Sequence, residues 1–168
     1  MPLPNRDAWQ RLRELDDPDS IERPADLDEQ RLHSRFTALV HAVSVAFQCE
    51  CPVDAGFPLV QDATFYGTIR VPGEATRSGA QIVMRVSNFG SLATYDLELF
   101  GAYSSEERHQ LMDPADVARA ERALTETGHE IIPIDILWNT YDGASDYWKR
   151  CFPDETPPTW FIRFFDWV

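Results

Sequence analysis

The sequence predicts an α+β fold: an antiparallel sheet of four to five strands with two main helices packed on one of its faces. Three observations carry that expectation. Apolar residues recur at helical spacing between residues 26 and 47, three segments of alternating polarity form a meander between about residues 63 and 98, and a second helix with clear end signals covers residues 114–127. The length of 168 residues suits one domain over residues 1–168, and the hydrophobic content of 43% is enough to offset the entropy of ordering a packed core.

Residues 1–24 read as a short helix and a loop. Trp9, Leu12 and Leu15 stand among charged residues in Arg6–Asp17, and Pro18 stops the helix, whose place is over the core as a lid. The long helix of residues 26–47 buries Leu32, Phe36, Leu39, Val40, Val43 and Phe47, with Asp26 and Glu29 at its positive end, and Cys49-Glu50-Cys51-Pro52 ends it. A loop through Gly56-Phe57-Pro58 leads to the meander of residues 63–98. Its strands place Phe65, Ile69 and Val71, then Ile82, Met84 and Val86 opposite Arg85, then Ser91–Leu97 beyond the Asn88-Phe89-Gly90 turn.

Residues Tyr103–His109 suggest a helical turn. Asp113-Pro114 then gives an N-cap followed by proline at the first helical position, and Gly128 stands where a helix terminates. Residues 130–168 read as aromatic-rich C-terminal strands. Glu130–Ile136 is the first, with Pro133 at an edge or bulge, and Thr159–Trp167 is the last, aromatic on both faces, beyond an irregular stretch broken by Pro153, Pro157 and Pro158.

Charge bounds the function. With 28 acidic and 15 basic residues the net charge is −13, a field that repels phosphate backbones and anionic membranes, so neither direct nucleic-acid binding nor membrane association is expected. The same field steers a basic protein partner inward, although acidity also serves solubility. Lys149 is the only lysine, as in proteins encoded by high-GC genomes. The first residues show no signal-peptide pattern, no apolar run is long enough to span a bilayer, and three cysteines leave an odd thiol, so a reducing cytoplasm is the expected location.

No cofactor is expected, because neither a glycine-rich dinucleotide fingerprint nor a phosphate-binding P-loop is present, and no nucleophile elbow surrounds any serine. Cys49, Cys51, Cys151 and a histidine offer ligand types for zinc, but a C-x-C pair and a distant third cysteine do not match the usual knuckle spacing. His33 and His41 share a helix face eight residues apart, too far to chelate one ion, while His109 and His129 flank the second helix.

Two regions remain as candidate partner-binding surfaces. The first is acidic and early in the chain: Asp16, Asp17, Asp19 and Glu22, followed by Asp26 and Asp28. Further acidic groups, Asp154 and Glu155 among them, read as solvated faces. The second region is aromatic and late: Trp138, Tyr141 and Trp148, with Asp142 and Arg163 as rim charges, stand in a density that also takes in Tyr147, Phe152, Trp160, Phe161, Phe164, Phe165 and Trp167. A sheet packed on both faces is the favoured account of that aromatic density, since much of it falls on a strand that has to be buried.

The tail Pro157-Pro158-Thr159-Trp160-Phe161-Ile162-Arg163-Phe164-Phe165-Asp166-Trp167, with Leu137-Trp138 and Tyr141-Asp142-Gly143 before it, resembles a pattern in uncharacterised small acidic proteins of high-GC bacteria. In general character these are similar to the immunity proteins of toxin systems, which neutralise a toxin by covering it. That resemblance implies a non-enzymatic inhibitor that covers a protein partner, and the negative field of the chain suits a basic one. Two other classes stay open: a small hydrolase or metal-dependent enzyme whose His and Asp/Glu groups are gathered by the fold, and a structural subunit of a larger bacterial assembly.

Overall fold

The computed structural model describes residues 1–56, 60–151 and 157–167. Phe57 and Pro58 of the expected loop, and Phe152, Pro153, Asp154 and Glu155, lie outside them.

The meander forms as the alternation dictates. Strands β2 (Phe65–Val71), β3 (Ile82–Ser87) and β4 (Leu92–Leu97) pair antiparallel, with Met84 opposite both Ile69 and Tyr95. Two edge strands complete a five-stranded sheet ordered as in the sequence, β1 (Val53–Ala55) beside β2 and β5 (Glu130–Ile131) beside β4. The first edge occupies residues expected to be loop. The second corrects a purely antiparallel sheet: β5 runs parallel to β4, because the chain between them crosses over through helices α3 (Ser105–Leu111) and α4 (Pro114–Glu126).

On one face, helices α2 (Glu29–Phe47) and α4 pack against each other and the sheet. Leu32, Phe36, Leu39, Val43 and Phe47 of α2 meet Ala120, Ala123 and Leu124 of α4 over Ile69, Ile82, Met84, Val86 and Ala93. Asp28, not Asp26, caps α2 by accepting from the Arg31 N–H at 2.9 Å, and Asp113 caps α4 by accepting from Ala115 at 2.8 Å. Ser104 and Glu107 form a reciprocal capping box on α3.

The other face carries a second core. Neighbours along a strand point to opposite faces, so Leu92 and Ile132 enter this core while Ala93 and Ile131 enter the first. It is roofed by α1 (Asn5–Glu14), α5 (Ile134–Leu137), α6 (Tyr147–Cys151) and α7 (Trp160–Phe165), and Ala8 and Leu12 of α1 are fully buried there, as a lid requires.

Two expected strands are therefore corrected. Glu130–Ile136 keeps ladder geometry for two residues only, since Pro133 has no N–H to give and instead opens the helical turn α5. The final strand is a helix. A six-residue run apolar except for Arg163 fits a buried strand or a buried helix, and here Thr159 caps its first turn while Trp160 stacks on Phe164 and Phe161 on Phe165, one helical turn apart. No helix among the described residues is long and apolar enough to cross a membrane.

Candidate partner-binding surface

The acidic segment and the aromatic tail are one structure. Arg163 is fully buried, so it is not a rim charge but the centre of a bonding node. Its Nε donates to the Asp16 carboxylate at 2.7 Å, and its terminal nitrogens donate to the backbone carbonyls of Asp17 (3.1 Å), Ser20 (3.0 Å) and Ile21 (3.1 Å). Phe89 and Phe164 offer ring faces to the guanidinium at 4.4 and 4.9 Å. Asp16, itself buried, also accepts from the Tyr141 hydroxyl and from the Ala144 N–H, each at 2.7 Å. Burial and this carboxylate push the Tyr141 phenol up to about 12. Gly143 is required by the closeness of the node, since a Cβ there would land on the Asp16 carboxylate and the Tyr141 ring.

The node fixes the backbone of residues 17–21 from beneath and leaves the carboxylates outside. Asp17 is exposed and held below the usual carboxylate range by the Asp19 N–H and the Ser20 hydroxyl. Asp19, Glu22 and Asp26 are exposed and have no ion-pair or hydrogen-bond partner for their carboxylates among the described residues. Asp28 is exposed but occupied as a helix cap, and Arg23 pairs with Glu29 at 3.0 Å. Farther along the chain the backbone is held again: Asn88 donates its amide to the Glu22 carbonyl at 3.1 Å. A cleft of about 690 Å³ opens beside the segment, lined by Glu22, Glu29, His33 and Tyr66, with His33 Nδ1 2.8 Å from the Tyr66 hydroxyl.

The aromatic candidates are mostly interior. Tyr141 and Trp148 are buried against one another, and Trp138 is half-buried with its ring stacked on Phe161 at 4.6 Å. Of Trp138, Tyr141, Asp142, Trp148 and Arg163, Asp142 alone stays exposed, paired through both oxygens with Arg13 and held low in pKa by that contact. Sequence reasoning missed the role of Arg163, although one signal existed. A single charge inside Trp-Phe-Ile-Arg-Phe-Phe has to find a buried partner, and it is 147 positions away.

Buried charge elsewhere also cancels. Among the described residues Asp16, Asp96 and Asp116 are buried, as are Arg85, Arg108 and Arg163, three against three, so the acidic excess resides on the rest of the chain. Asp96 faces Arg108 at 3.8 Å, and its carboxyl is pushed up by burial. Arg85 lies under the rings of Phe65, Phe100, Phe161 and Trp167 and donates to the Phe165 carbonyl at 2.7 Å; burial lowers it to about 10.

For the catalytic class, three of the four histidines bond elsewhere: His33 to Tyr66, His109 Nδ1 to the Ser105 carbonyl and His129 Nδ1 to the Thr127 hydroxyl. Among the described residues no histidine is hydrogen-bonded to Asp or Glu in these contacts, and no group of three His, Cys, Asp or Glu side chains is placed to hold an ion. Compared with known protein families, curated proteins and solved structures, the chain finds no match.

Proposed function

We propose that this chain is a non-enzymatic binding module that covers a basic protein partner, an inhibitor of the immunity type acting in the cytoplasm. One observation carries the reading: Asp19, Glu22 and Asp26 are exposed carboxylates unpaired among the described residues, and they lie on or just beyond a backbone that Arg163 and Asn88 pin from Asp17 to Glu22. Holding the segment in place before contact removes ordering entropy from the binding step, and surface charge of one sign accelerates encounter with the opposite sign. The neighbouring cleft gives such a partner a recess in which to seat a long cationic side chain.

Affinity capture from extract of the native cells, with the wild type and a D19N/E22Q/D26N variant side by side, tests this. A protein of basic charge retained by the wild type at low salt, released as salt rises and lost with the variant supports the proposal. Recovery of the same proteins by both baits overturns it.

A further inference from the structure

The two cysteines beyond the C-terminus of α2 take no part in the surface described above. Gln48 ends the helix in the left-handed region at φ 55°, and the turn brings the sulfurs of Cys49 and Cys51 to 3.5 Å. The two thiols differ in surroundings. Cys51 is buried within the first core, and burial together with the neighbouring Cys49 sulfur pushes its thiol up to about 12. Cys49 is half-exposed at the wall of an open cavity of about 480 Å³ shared with Gln48, Thr76, Arg77 and Arg119. Arg119 sits 4.4 Å over the Phe47 ring and donates to the Ala46 carbonyl at the end of the helix. Glu74 lines the same cavity and Arg119 is paired with Asp116, so the local charge is balanced, and what marks the site is the contact itself: an accessible thiol with a second sulfur already against it is the arrangement of an oxidisable pair.

We propose that Cys49 and Cys51 are a modification site, a dithiol that a hydroperoxide converts to an intramolecular disulfide. The Cys49 thiolate attacks one peroxide oxygen; an S–O bond forms, the O–O bond breaks, and the leaving oxygen takes a proton to depart as water when the oxidant is hydrogen peroxide. The Cys51 sulfur then attacks the Cys49 sulfenic acid, an S–S bond forms, the S–O bond breaks, and the hydroxyl leaves as a second water with the Cys51 proton. Two thiols are oxidised and one peroxide is reduced. The sulfurs have to close from 3.5 Å to about 2.05 Å, a shift within reach of side-chain rotation because residues 49–51 belong to neither helix nor strand. The bond would tie the end of α2 to the approach to β1.

The experiment uses the full chain carrying Cys151→Ser, which removes the exposed third thiol. After a modest excess of hydrogen peroxide, intact mass falls by about 2 Da, both thiols vanish from thiol titration, and dithiothreitol restores them. In the further variant Cys51→Ser, Cys49 is trapped as a sulfenic acid that dimedone labels. A gain of about 32 Da at Cys49 with Cys51 still titratable overturns the proposal, as does a product of doubled mass or a failure to react at peroxide levels that oxidise Cys151 in the wild type.

Discussion

The two faces of the sheet are built by different means. Under α2 and α4 the contacts are mainly aliphatic, with Phe36 and Phe47 among them, the helices are long, and strand residues alternate as a half-buried sheet should. Under α1, α5 and α7 the helices are shorter, aromatic side chains make up half of the buried cluster, and the strand residues facing inward include Thr68, Arg85, Thr94 and Asp96, all buried. The first face holds itself together by area removed from water, a term that any similar shape satisfies. The second depends on a few directional bonds between residues remote in sequence, and those bonds fail all together when one partner is lost.

Removing Arg163 should therefore have the largest effect. Arg163→Met keeps much of the stem but leaves a buried Asp16 carboxylate without its cation and three loop carbonyls without their donor, a loss of about 3–5 kcal/mol in urea unfolding. Asp16→Asn added to Arg163→Met should cost much less than the two single losses combined, since one relieves the charge that the other strands. Leu39→Ala on the aliphatic face should cost about 2–5 kcal/mol through its cavity alone and add independently to Arg163→Met. Full additivity of Asp16→Asn with Arg163→Met would break the contrast between the faces.

The same contrast explains what could be read from the sequence. Periodicity reports burial on a regular element, so α2, α4 and the meander were legible, as was Asp113 at its cap. The two-residue β5 and the three-residue β1 are too short to carry a period, and the parallel pairing depends on where the crossover places the chain. In the tail, aromatic side chains favour strands by propensity, yet the near-complete burial of Trp160–Phe165 is compatible with either geometry, and the i, i+4 stacks go with the helix. For the candidate surface, the exposed Asp19, Glu22 and Asp26 follow from composition. That Asp16 turns inward while Asp17 turns out could not follow, because the cause is an arginine at the far end of the chain.

Acid should distinguish the faces next. His129 lies between α4 and β5 with its Nε2 buried and unpartnered, and burial plus the charge of Arg35 lowers its pKa from 6.5 to about 4. The unfolded chain takes up this proton near 6.5 and the folded chain resists it to about 4, so the stabilisation is complete above the first value and is lost as pH falls toward the second. The loss amounts to roughly 3 kcal/mol across that window. Urea midpoints measured from pH 7 to pH 4 should fall for the wild type and fall less for His129→Gln. An identical slope in both would remove His129 as the acid-sensitive point of the aliphatic side.

The smallest effect on stability belongs to the exposed carboxylates between residues 19 and 26, beside the segment that the Arg163 node supports. Asp19, Glu22 and Asp26 touch no other charged side chain among the described residues, so D19N/E22Q/D26N should shift the unfolding free energy by less than about 0.5 kcal/mol. Its sign should be favourable at low salt, since three like charges crowded on one segment repel one another, and the gain should fade as salt screens them. That outcome, set beside the cost of Arg163→Met, separates a support that exists to hold the segment from the groups it holds. If neutralising the carboxylates destabilised the fold as much as losing Arg163, the acidic row would be part of the scaffold, and an exposed surface kept for a partner would lose its physical basis.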